Sequence, residues 1–134
     1  MLSCDWSIDK LPGISPQEQD LLTKYGIRTT QILLNKTPTP QAKNTLASQL
    51  KIPVKYINKW SALADLARIP SVGYQYCGVI LHCGIASVTQ LSQTPLQKLY
   101  SRVSRLYVAN TYQKEFTPSI SLVKQWLTEA RAIR

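Results

Sequence analysis

One histidine, His82, and three cysteines, Cys4, Cys77 and Cys83, are the residues best able to ligate a metal or act as nucleophiles, and their spacing suits neither task. The cysteines form no CxxC pair, so the ligand spacing of a structural zinc site is missing. Cys77 and Cys83 are six apart, which puts them about 120° from each other around a helix. Reduced, buried thiols in a cytoplasmic protein are expected. No nucleophile has an evident base, no carboxylates pair at a catalytic spacing, and no phosphate loop with a lysine occurs. The residues read as those of a non-enzyme with no cofactor and no metal.

The chemistry the chain does favour is the binding of anions. Sixteen Lys and Arg against seven Asp and Glu give a formal charge of +9. Nucleic acid, an acidic protein face and an anionic membrane surface all fit that sign. The charge is unevenly placed: residues 1–35 balance to −1, residues 36–68 to +5, residues 69–95 carry no charged side chain, and residues 96–134 return to +5. Two basic stripes result. Lys51, Lys55 and Lys59 form one, while Lys98, Arg102 and Arg105 form the other, with no Asp or Glu between residues 66 and 114 to neutralise the second.

These groups must be held by helices, and the chain repeats the units that supply them. Sliding the sequence by 58 residues superposes Lys10 on Arg68, Pro12 on Pro70, Leu22 on Ile80, Gly26-Ile27 on Gly84-Ile85, Thr29 on Ser87 and Leu33 on Leu91 without a gap. Each copy carries a basic residue, a turn of the form apolar-Pro-small-apolar-small, a helix-length stretch, Gly-Ile, a capping Ser or Thr, and a second short helix. That is two helices joined by a glycine-containing hairpin, twice.

The hairpin residues Leu11-Pro12-Gly13-Ile14-Ser15 and Ile69-Pro70-Ser71-Val72-Gly73 resemble the helix-hairpin-helix family, although Ser15 and Ser71 each replace one hairpin glycine. The likeness extends through Lys59-Trp60, Leu63-Ala64-Asp65-Leu66, Ser87-Val88-Thr89-Gln90-Leu91, Pro118-Ser119, Val123 and Trp126. Over nearly the whole chain it is similar to a largely uncharacterised helix-hairpin-helix domain family common in cyanobacteria. The resemblance implies a compact tandem helix-hairpin-helix fold and brings no activity with it. A lysine-dependent lyase chemistry exists among helix-hairpin-helix repair enzymes, but Lys10 beside Asp9 reads as a surface pair.

Helical spacing and caps predict an all-α class with about eight to nine short helices. A single domain over 1–134 is expected, with a first unit at 5–37, connecting helices at 38–68, a second unit at 69–94 and C-terminal helices at 95–134. Helices are predicted from Pro16 to Tyr25, after Thr29, from Pro40 to Leu50, from Pro53 to about Ala67, from Gly73 to His82, after Ser87, from Pro95 and from Ser119, with a polar loop from Thr111 to Pro118. Trp60 is assigned to the core rather than to base stacking. The uncharged run from Ile69 to Gln97 is interrupted by Pro70, Gln75, His82, Gln90, Gln93 and Pro95, so no integral membrane segment is expected. Met1-Leu2-Ser3-Cys4 lacks the basic start and apolar run of a lipoprotein signal.

Proteins with paired hairpins of this kind hold nucleic acid backbone phosphates on main-chain amides, without reading bases. Carried over, the contact residues are Lys10, Gly13 and Ser15 in the first hairpin and Arg68, Ser71, Gly73, Tyr74 and Gln75 in the second. The second is the better prospect, because Pro16 removes a donor from the first and Glu18 and Asp20 repel phosphate there. The leading reading is a non-catalytic protein that binds DNA or RNA backbone without sequence specificity. Its rival is an interaction or assembly adaptor docking an acidic protein, with the photosynthetic apparatus as one setting. Oligomeric state is not assigned. If three to five bases neutralise phosphates, log K plotted against log salt should fall with a slope of roughly −3 to −4.5. A slope near zero in a duplex titration would remove the nucleic acid reading.

Overall fold

The computed structural model describes residues 3–109 and 116–133. Proline, serine and threonine mark the helix starts. Ser15 caps α1 (Pro16–Lys24) in a capping box: its hydroxyl accepts from the Glu18 amide at 3.1 Å, and the Glu18 carboxylate accepts from the Ser15 amide at 2.9 Å. Thr29, Thr39 and Ser87 cap α2 (Thr30–Lys36), α3 (Pro40–Leu50) and α6 (Val88–Ser92). Pro53 and Pro95 stand immediately before α4 (Val54–Leu66) and α7 (Leu96–Val108), while α5 (Gly73–His82) opens without a side-chain cap. The Ser119 hydroxyl accepts from the Leu122 amide at the start of α8 (Ile120–Ile133).

Every predicted helix is present, and the class is all-α. Among the described residues the sole β-type pairing is one bridge between Ser7 and Thr29. Residues 111–115 of the expected polar loop lie outside the described residues. No described helix is long and apolar enough to cross a membrane.

The core is organised on α4, whose Ile57, Trp60, Leu63, Ala64 and Leu66 are buried. Helices α2, α3 and α5 pack around it, and α8 packs on α6 and α7. Trp60 and Trp126 are fully buried, as their positions in apolar stripes require. The segment before α1 ties the layers together. The Cys4 amide donates to the Arg68 carbonyl at 2.8 Å, the Ile8 amide to the Arg28 carbonyl at 2.9 Å, and the Thr30 amide to the Trp6 carbonyl at 2.8 Å. The Trp6 indole N–H reaches the Ala67 carbonyl at 2.6 Å.

The two proline turns are not superposable copies. In the first, the left-handed residue is Gly13 (φ 77°); in the second it is Gly73 (φ 52°), at the position that Ser15 holds in the repeat. Glycine tolerates positive φ without a Cβ clash, so where each turn carries its glycine decides where it bends. Consequently α5 starts one residue earlier in its unit than α1 does. A Cβ on Gly73 would also lie 3.2 Å from the Trp6 ring. Gly73→Ala should therefore cost about 1–3 kcal/mol in urea unfolding. A double-mutant cycle with Trp6→Leu should recover part of that cost, and strictly additive costs would show that Trp6 is not the obstacle.

Candidate functional site

The second proline turn, expected to offer amides to phosphate, already holds an anion supplied by the chain. Glu129 lies on the core side of α8 beside Trp126 and Ala130 and is 7% exposed. Its Oε1 accepts from the Ser71 amide at 2.8 Å and from the Ser71 hydroxyl at 2.7 Å, and its Oε2 accepts from the Gln125 amide at 2.9 Å. The Trp126 indole N–H donates to the Ser71 carbonyl at 3.2 Å. The Val72 and Gly73 amides both bond to the Ile69 carbonyl. From the other side Trp6 meets the Tyr74 ring edge-on, with centroids 5.0 Å apart.

The remaining second-turn residues are placed accordingly. Arg68 pairs with Asp65 at 3.1 Å through its buried Nε, so its charge is matched within the protein, while its terminal nitrogens are not engaged by that pair. Asp65 in turn accepts the Val88 amide at 2.8 Å, joining α4 to the start of α6. Tyr74 is half-buried, and Gln75 is exposed. Of the group Arg68, Ser71, Gly73, Tyr74 and Gln75, therefore, the amides of Ser71 and Gly73 and the Arg68 charge are engaged within the protein. Serine instead of glycine at position 71 has a physical consequence, since its hydroxyl adds a second donor to the carboxylate.

The first turn is different. Pro12 and Gly13 are exposed, and a Cβ on Gly13 would lie 3.0 Å from the Lys59 ammonium. The Lys10 ammonium lies 5.7 Å from the Tyr74 ring centroid, so this first-turn base reaches over the second unit. Ser15 is committed to its capping box. Gly78 of α5 faces Pro12, and with Lys59, Leu81 and His82 they line a small pit of about 170 Å³.

Residues of both basic stripes flank the end of α5. Lys59 lies beside Leu81 and His82 on one side. On the other, Lys98 and Arg102 line a shallow cavity with Cys83 and Gly84, and the Arg102 guanidinium donates to the Cys83 carbonyl at 3.3 Å. Lys51, Lys55, Lys59, Lys98 and Arg105 are exposed. Among the described residues Arg68–Asp65 is the one ion pair, which leaves the stripes without a carboxylate partner.

The thiols of Cys77 and Cys83 are poor nucleophiles. Burial pushes Cys77 up to about 12, and it pushes Cys83 upward against the opposing charge of Arg102. No cluster of His, Cys, Asp and Glu able to hold a metal occurs among the described residues.

The architecture defines an all-helical protein whose sequence repeats one helical unit, with Lys59 on one side of the end of α5 and Lys98 and Arg102 on the other. Residues 12–133 match the family described as a domain of unknown function, DUF4332, and the chain belongs to that family. No curated protein and no solved structure matches it.

Sequence reasoning missed Glu129 as the ligand of the second turn. A signal was present, because an acid next to Trp126, Leu127 and Ala130 falls on the apolar face of α8 and needs a partner there. Burial alone would raise the Glu129 carboxyl, but the Ser71 amide, the Ser71 hydroxyl and Gln125 outweigh it and hold the group below its ordinary value of 4.5. A folded-state value below the unfolded one stabilises the protein above the unfolded value and loses that contribution as pH falls through the folded value. Glu129→Gln should cost about 1–1.5 kcal/mol at pH 7, since the Ser71 donors then meet a neutral acceptor in place of a charged one. Its stability gap from the unmodified protein should close as pH drops below the ordinary carboxyl range. A gap unchanged with pH in chemical denaturation would remove the charge from this account.

Proposed function

We propose that this protein is a non-catalytic docking module whose basic band, Lys55 and Lys59 through the end of α5 to Lys98, Arg102 and Arg105, receives an acidic protein surface. The observation that supports this reading is that, among the described residues, no carboxylate pairs with either stripe, beside a second turn already filled by Glu129. Side-chain charge, rather than main-chain amides, is then the principal means of contact. Exposed charges of one sign steer association and set orientation.

A second reading, binding to nucleic acid backbone, is favoured by one feature. The first turn leaves Gly13 exposed under the Lys59 ammonium with Lys10 nearby, an arrangement able to receive a phosphate. Lys59 serves both readings; Lys98 and Arg102 belong to the first alone.

Co-purification from a native extract would name the partner, and titration over a salt series would separate the readings. An acidic partner should lose about tenfold in affinity on combined Lys98→Ala and Arg102→Ala replacement, given exposed charge pairs of up to about 1 kcal/mol each. Unchanged affinity would remove the basic band from the interface. Tight duplex or single-strand binding that depends on Lys10 and Lys59 but not on Lys98 and Arg102 would favour the second reading.

A further inference from the structure

A cleft of about 590 Å³ opens between α2, α3, α4 and the segment before α6, away from the pit and cavity that flank the end of α5. Asn35, Lys43, Asn58, Ser61, Asp65 and Arg68 contribute its polar lining. What matters is which of their atoms remain available. Both Asp65 oxygens are engaged, one by Arg68 and the other by the Val88 amide. The Asn35 side-chain oxygen accepts from Gln31 at 2.9 Å. Ser61 is buried and shares a 3.2 Å hydrogen bond with Thr37, whose hydroxyl donates to the Leu33 carbonyl at 2.8 Å.

The side-chain oxygens of Asn58 and Gln31 stay open, but the charged groups open to a ligand are donors, the Lys43 ammonium and the terminal nitrogens of Arg68, with the Asn35 and Asn58 amides beside them. With the Asp65 charge matched by Arg68, Lys43 leaves the site positive. We propose that this cleft binds a small organic oxyanion, a phosphorylated or carboxylated metabolite of about sugar-phosphate size, because a concave site with convergent donors and one unmatched positive charge selects that chemistry. The anionic group sits between Lys43 and Arg68, and hydroxyls of the ligand accept from Asn35 and Asn58. Such a ligand bridges elements of both helical units, since α2 belongs to the first and Ala86 and Ser87 precede α6 of the second.

Calorimetric titration of the full chain at constant ionic strength tests this, using glucose 6-phosphate and citrate as probes and glucose as the uncharged control. Saturable binding of either anion, weakened at least tenfold by Lys43→Ala and by Asn58→Asp and unaffected by Lys98→Ala with Arg102→Ala, is the expected result. Which probe binds distinguishes phosphate from carboxylate. Neither side chain holds the fold by a hydrogen bond, and circular dichroism verifies that each variant is folded. Side-chain amide shifts of Asn35 and Asn58 on titration supply a second readout in the unmodified protein. Binding of neither anion, or equal weakening by the α7 variants, overturns the assignment. The docking band shares none of the tested cleft residues, so failure here leaves the docking reading standing, and the reverse also holds.

Discussion

The contact between Glu129 and Ser71 is the constraint on which the arrangement of this protein depends. A carboxylate withdrawn from water is costly unless its oxygens are occupied, and Ser71 supplies two short donors while Gln125 supplies a third. The Trp126 indole bonds to the carbonyl of the same serine, so one residue of the turn fixes α8 in both position and rotation. Because α8 also carries α6 and α7 against it, the turn before α5 determines where the C-terminal half of the molecule sits. Trp6 presses on the opposite side of that turn and bonds to Ala67, so the N-terminal segment meets the C-terminal helix across a few residues of backbone.

Much of this was legible in the sequence for reasons that are local. Hydroxyl residues at the caps, followed by proline in α1 and α3, satisfy backbone groups within a few residues, so the starts of α1, α3 and α6 needed no tertiary information. Apolar stripes at three and four residues placed Trp60 and Trp126 inside, as found. The long-range part was not legible. Whether a turn amide faces solvent or a carboxylate is decided by a helix that begins some fifty residues later, and Ser71 alone does not reveal which. Glu129 gave a partial signal through its apolar neighbours, but spacing could not say which donors would meet it.

The repeat is informative where it fails. The two units share prolines, Gly-Ile steps and caps, yet their single turn glycines occupy different positions and the turns bend at different residues. One turn exposes its proline and glycine beside Lys59; the other exposes Pro70 but buries Val72 and Gly73, with a carboxylate and two tryptophans around it. Duplicated sequence has thus produced one open joint and one largely covered joint. The basic side chains follow the same division, for Arg68 is paired while Lys59 has no carboxylate partner among the described residues.

The 58 residues that separate Ser71 from Glu129 have a consequence for synthesis. The Ser71 amide and hydroxyl leave the ribosome well before the carboxylate that will satisfy them, and Trp126 follows after the same delay. Until α8 is made, a nascent chain presents that turn with open donors and an uncovered apolar floor, which is the state most inviting to a chaperone or to an unrelated carboxylate.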